Sequence, residues 1–121
     1  MAYVRYLVNV VQKAVDFYSA HFDFTVQQQF GPAMAILKRG DLTLWLAGPN
    51  ASASRPMPDG RKPEPGGWNR FVVETPDLAA TVAKLKTAGV RFRNEIVSGP
   101  GGKQILVEDP CGNVVELFQP A

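Results

Sequence analysis

The run Asp109-Pro110-Cys111-Gly112-Asn113-Val114-Val115-Glu116-Leu117-Phe118 decides how the rest of the chain is read. Pro110 presets its own backbone angle, and Gly112 and Asn113 tolerate the left-handed conformation that a tight hairpin needs. The residues that follow alternate. In an extended chain Val114, Glu116 and Phe118 point to one side, and Val115, Leu117 and Gln119 to the other. One carboxylate is therefore set in an otherwise apolar strand. It costs free energy there unless a cation or a hydrogen-bond donor meets it. What meets Glu116 is the functional question the sequence poses.

The chain around this strand has 121 residues, enough for one compact domain. Hydrophobic residues make up 45% of it, so a core can be buried and disorder is not expected. The net charge is +2 and the basic residues are scattered, which predicts no phosphate-binding face and no nucleic-acid partner. No apolar run approaches a membrane span, and the N-terminus lacks a charged-then-apolar signal pattern, so no membrane association is expected. Cys111 is the single cysteine, which rules out an intrachain disulfide, and His21 is the single histidine, so no Cys/His zinc cluster can form. A reducing cytoplasm fits this cysteine usage.

Upstream, Tyr3 to Val10 alternates and reads as a strand. The period then changes: Val11, Ala14, Val15, Tyr18 and Phe22 form a helical stripe, with Gln12, Lys13 and Asp16 off it. Three strands follow, over Phe24 to Phe30, Ala33 to Lys38 and Leu42 to Ala47, punctuated by Gly31-Pro32 and Gly40-Asp41. From Gly48 to Gly67 the composition shifts to Pro, Ser, Arg and Lys without periodicity. A loop of about twenty residues in a small domain is usually functional or mobile; here it also joins two similar halves, so a plain linker is the alternative reading.

The second half repeats the order. Trp68 to Glu74 is a strand. Asp77 is an N-cap for a helix carrying Leu78, Val82 and Leu85, and Gly89 ends that helix. Val90 to Val97 and Lys103 to Glu108 are strands on either side of a hairpin loop at Ser98 to Gly102, and Val114 to Gln119 closes the chain. The two ends also match: Leu44-Trp45-Leu46-Ala47-Gly48-Pro49 stands where Val115-Glu116-Leu117-Phe118-Gln119-Pro120 stands. The pattern is an internal structural repeat.

This repeat, with Ala14-Val15-Asp16-Phe17-Tyr18 on the first helix, Asp77-Leu78 through Leu85-Lys86-Thr87-Ala88-Gly89-Val90 on the second, and the Asp109 to Phe118 tail, resembles the vicinal oxygen chelate superfamily. That group includes glyoxalase I, extradiol dioxygenases, fosfomycin-resistance enzymes and bleomycin-binding proteins. The resemblance covers nearly the whole chain. It implies an α+β fold of paired βαβββ modules, forming an open curved sheet around a concave pocket with helices outside. It further implies a single glyoxalase/bleomycin-resistance-like domain over 1–121, with modules 1–49 and 66–121 joined by the Pro-rich loop 48–67, and a homodimer.

Enzymes of the family hold one divalent metal with four side chains: a His or Gln on the first strand of each module, and a Glu or similar donor on the last strand of each. Residue by residue, the resemblance puts Tyr3, Trp45, Arg70 and Glu116 at those places. Only Glu116 matches. Hard divalent ions need several converging oxygen or nitrogen donors. Trp45 offers none, Arg70 repels a cation, and the neutral phenol of Tyr3 is a poor ligand. The expectation is no metal and no cofactor.

Alternation also gives the binding wall without the family. Tyr3, Arg5 and Leu7 share a side, as do Thr43, Trp45 and Ala47, then Trp68, Arg70 and Val72, then Val114, Glu116 and Phe118. The opposite sides, with Leu44, Leu46, Phe71, Val73, Val115 and Leu117, are apolar enough to pack under helices. Ligand-binding residues are therefore expected among Tyr3, Arg5, Trp45, Trp68, Arg70, Glu116 and Phe118. Arg70 takes the place of the metal and pairs with Glu116, by a bidentate fork where geometry allows, and can also meet an anionic or carbonyl group. Trp45 and Trp68 offer faces for stacking. Blander readings apply elsewhere: His21 as a surface cap, Cys111 as a turn residue, Tyr18 as a core anchor, and Tyr3 as either wall or acid.

The leading expectation is a protein that binds a small aromatic or conjugated molecule without metal. The alternative is a lyase, isomerase or dioxygenase of the same superfamily, using a divalent metal or Glu116 as base; an adjacent Arg70 opposes the base role. A third is a scaffold with only an oligomer interface. No catalytic residue is assigned.

Overall fold

The computed structural model describes residues 2–121. Its contacts divide the chain into two units. One ends at Gly66 and includes Pro110–Asn113; the other comprises Gly67–Asp109 and Val114–Ala121.

The first unit opens with β1 (Ala2–Leu7), α1 (Val11–His21), β2 (Thr25–Phe30), β3 (Met34–Arg39) and β4 (Leu42–Ala47). The sheet order is β1-β4-β3-β2, with β1 parallel to β4 and the other pairs antiparallel. The helix starts where the sequence changes period, and it buries Val11, Ala14, Val15, Phe17 and Tyr18. In register, Tyr6 faces Leu46 and Leu37 faces Leu44, so Tyr6, Leu37, Leu44 and Leu46 line one side of the sheet, all of them buried. Tyr18 anchors an aromatic cluster in which its ring meets Phe17, Phe22 and Phe24. The Pro-rich segment holds a single 3₁₀ turn, Ser52–Ser54, tied down by the Ser54 hydroxyl donating to the Gly48 carbonyl at 2.8 Å. Gly48 has no room for a side chain, because a Cβ there would lie 2.7 Å from the Pro32 carbonyl. Asn113 fixes the 110–113 turn within this unit, donating to the Leu7 carbonyl and accepting from the Gly66 amide, both at 2.8 Å.

The second unit repeats the scheme with β5 (Arg70–Glu74), α2 (Leu78–Thr87), β6 (Arg91–Phe92), β7 (Val97–Gly99), β8 (Gly102–Glu108) and β9 (Val114–Pro120). Its order is β5-β9-β8-β6, with β7 also on β8 and β5 parallel to β9. The Asp77 carboxylate accepts the Ala80 amide at 3.1 Å, and Gly89 takes a φ of 81° just past the helix, as cap chemistry predicts. Leu78, Val82 and Leu85 are buried, as are Phe71, Val73, Ile105, Val107, Val115 and Leu117.

Both halves are thus open, curved sheets with one helix each. Two local expectations need correcting. The strand expected over Val90 to Val97 is broken into two short pieces. Between them the Asn94 side chain, not a backbone carbonyl, accepts the Leu106 amide at 2.9 Å and stands in for a rung of the ladder. The fifth strand begins at Arg70, leaving Trp68 outside it and 68% exposed.

Candidate ligand-binding faces

In the second unit the parallel pairing sets Val72 opposite Glu116. Arg70, two residues earlier on the same side, reaches Glu116 diagonally. Its Nε and Nη2 donate to the one oxygen Oε1, at 3.1 and 2.9 Å. The pair is therefore not the two-oxygen fork expected from the residue types. The third nitrogen, Nη1, donates to the Trp68 carbonyl at 3.2 Å. All three nitrogens of Arg70 donate, and its charge is met by Glu116. The side chains are 29% and 12% exposed, so the pair is only partly screened by water.

A second pair, which the sequence reading missed, lies beside the first. Arg93 Nε donates to Glu108 Oε2 at 2.8 Å, and Nη1 to the Gly67 carbonyl at 2.7 Å. The same guanidinium lies 4.5 Å from the centre of the Trp68 ring, a cation–π contact. Cross-strand register places Arg70, Val114 and Glu108 in one row, and Val72, Glu116 and Leu106 in the next. The alternation of Arg91 and Arg93 about Phe92 was a signal for this pair, but only the register identifies Glu108 as its acid. Phe118 lies two residues beyond Glu116 on the same side and is half-buried.

In the first unit Arg5 is the direct cross-strand neighbour of Trp45. Its guanidinium lies 4.7 Å from the centre of the Trp45 ring. The Tyr3 ring meets Trp45 edge-on, with centroids 5.4 Å apart. Tyr3 is 59% exposed, and Arg5 makes no ion pair among the described residues. Three of the expected wall residues are thus in contact with one another in this unit. In the other, Trp68, Arg70 and Glu116 are joined through the Arg70 guanidinium.

The two clusters occupy equivalent places. Tyr3 stands two residues before the partner of Trp45, as Arg70 stands two before the partner of Glu116. The same diagonal across a parallel pair is an aromatic contact in one unit and an ion pair in the other. Among the described residues, no three of His, Cys, Asp and Glu gather as a metal site would require. Elsewhere, the His21 ring packs on Phe17, and Cys111 Sγ accepts the Asn9 amide at 3.3 Å within the turn. Gly99 pairs with Gly102 across a plain hairpin.

Two βαβββ modules with the same strand order, each presenting aromatic and charged groups on the side away from its helix-covered core, define a paired-module α+β protein. The model of the Glyoxalase/Bleomycin resistance protein/Dioxygenase superfamily matches residues 1–117, and the chain belongs to that superfamily. No curated protein matches the sequence. Among solved structures, a lactoylglutathione lyase from Agrobacterium tumefaciens superposes with a TM-score of 0.75 at 19% identity, covering 98% of this chain and 92% of the other. TnmS3, an antibiotic binding protein from Streptomyces sp. CB03234, superposes with a TM-score of 0.68 at 27% identity, covering 100% and 97%. A fosfomycin resistance protein, FosX, from Listeria monocytogenes gives 0.74 at 13% identity, covering 100% and 93%.

Proposed function

We propose that this protein binds a small aromatic or conjugated molecule without using a divalent metal. The observation that carries the proposal is the Arg70 guanidinium donating twice to Glu116 Oε1. A cation already holds the one acidic side chain at the places where the family's enzymes bind their ion. The equivalent places in the first unit carry a phenol and an indole in ring contact, which suit stacking and not a hard cation. Trp45 and Trp68 each have a guanidinium near the ring, an arrangement that favours flat, polarisable ligands. The likeness to an antibiotic binding protein supports sequestration over turnover. The enzyme alternative, with Glu116 as a base, is less favoured because the carboxylate already has the Arg70 guanidinium as its partner.

The family resemblance and the exposed Pro-rich segment are the basis for proposing a homodimer. The single cysteine is the basis for proposing a cytoplasmic location. No helix of the described residues is long and apolar enough to cross a membrane.

Elemental analysis of the purified protein, paired with tryptophan fluorescence titration against a panel of aromatic compounds, tests the reading. Substoichiometric divalent metal and saturable quenching unaffected by EDTA are expected. One bound divalent ion per chain, with binding or turnover lost on chelation, would overturn it.

A further inference from the structure

Resting on that binding reading, we propose that the second unit selects a neutral planar ligand bearing a hydrogen-bond donor, such as a phenolic hydroxyl, through Glu116 Oε2. Both donors from Arg70 converge on Oε1. Oε2 accepts no hydrogen bond from the described residues, although Glu116 is only 9% exposed. The sole fully enclosed side-chain polar atom lacking a partner among the described residues is Arg39 Nε, so Oε2 is not sealed inside the sheet but opens to solvent or ligand. A carboxylate oxygen so placed is a strong acceptor with nothing from the described residues to accept.

The charges around it point the same way. Arg70 is neutralised by Glu116, and Arg93 by Glu108. Register adds Arg91, opposite Glu108, and Glu74, opposite Phe118, to the same side, so the charges of the face balance, and it offers an anion little net attraction and would repel one from Oε2. Glu108 repeats the pattern: its Oε2 is taken by Arg93, while Oε1 accepts nothing from the described residues. Spare hydrogen-bonding capacity in carboxylate oxygens calls for donors on the ligand. Trp68, 68% exposed and next to the Arg93 guanidinium, supplies the stacking surface for the ring that carries them. Val72, 51% exposed and directly opposite Glu116, adds an apolar floor beside the acceptor.

The test uses three probes of matched size: 1-naphthol, 1-methoxynaphthalene and 1-naphthoate. Each is titrated into the full chain labelled with ¹⁵N at the indoles of Trp45 and Trp68. The Trp68 signal is expected to shift, with 1-naphthol binding roughly tenfold or more tightly than the methyl ether, as a hydrogen bond to a charged acceptor provides. The naphthoate should bind no better than the ether. In the double variant Arg70→Met/Glu116→Leu, which leaves no unpaired charge, the naphthol preference should fall to about one. Equal binding of naphthol and its ether to the wild-type protein would overturn the inference while leaving the binding reading intact, as would tightest binding of naphthoate. Failure of all three to shift either indole would overturn the binding reading, and this inference with it. The wild-type comparison stands without any variant folding correctly.

Discussion

Replacing Arg70 and Glu116 singly and together tests the central contact by its energetics. Arg70→Met leaves a carboxylate that is nine-tenths buried without either of its donors. Removing one partner of a buried pair costs about 3–5 kcal/mol; because the Arg70 side chain is 29% exposed, water recovers part of this, and a loss of about 2–3 kcal/mol is expected. Glu116→Leu costs less, about 1–2 kcal/mol, because Arg70 keeps its bond to the Trp68 carbonyl and can turn toward solvent. The double variant should lie within about 1 kcal/mol of wild type, since Met and Leu pack against Val72, Val114 and Leu106 with no charge left to desolvate. The cycle should then show a coupling energy of about 2 kcal/mol or more. Urea unfolding followed by tryptophan fluorescence measures all four proteins, with an unchanged denaturant slope showing that the unfolded states are comparable. Single losses that add to the double loss within about 0.5 kcal/mol would mean that the two side chains do not meet in solution, and the reasoning about the site would fail.

Three further outcomes concern the frame that holds the site. Asp77→Ala should cost about 1 kcal/mol, read by thermal or urea unfolding, because it removes the acceptor of the Ala80 amide at the start of α2; Asp77→Asn should recover most of it. Asn113→Ala should cost about 2 kcal/mol or more, since a residue only 4% exposed leaves the Leu7 carbonyl and the Gly66 amide without their partner. Gly102→Ala should be still more damaging and reduce soluble yield, because φ is 145° there and a Cβ would run into the Gln119 carbonyl.

The elements that matched the sequence reading are those whose signal is local. β4 spans Leu42–Ala47 as its alternation and flanking glycines indicate, and α1 begins at Val11 where the period turns from two to 3.6. The break at Arg93 and Asn94 was not legible, because Arg91 to Val97 keeps enough alternation to pass for one strand. The Asn94 side chain takes over a ladder position only once β8 lies alongside it. The Arg93–Glu108 pair was hidden for the same reason. Glu108 ends β8 and Arg93 lies just past β6, and only pairing of Arg91 with Glu108 brings that acid beside Arg93. Arg70–Glu116, equally non-local, was readable because an acid inside an apolar strand demands a cation, and Arg70 stands at the matching place of a repeat. Whether the guanidinium would fork across two oxygens or converge on one was beyond that argument, as it depends on a diagonal offset set by parallel register.

The repeat explains how one scaffold supports such different contents at matched places. A parallel pair with its helix on one side leaves the diagonal between strand one and strand four open on the other, and that diagonal brings two side chains together whatever they are. Here one copy holds Tyr3 against Trp45, and the other holds Arg70 against Glu116. The backbone does not have to change for this, because the core residues beneath, Leu44 and Leu46 in one unit and Val115 and Leu117 in the other, sit on the opposite face and are buried regardless. Function at these positions can therefore change without a cost to folding, provided that any charge introduced finds a counter-charge within the same unit. Arg70 with Glu116 and Arg93 with Glu108 meet that condition internally, whereas Arg5 makes no ion pair among the described residues and lies against the Trp45 ring instead.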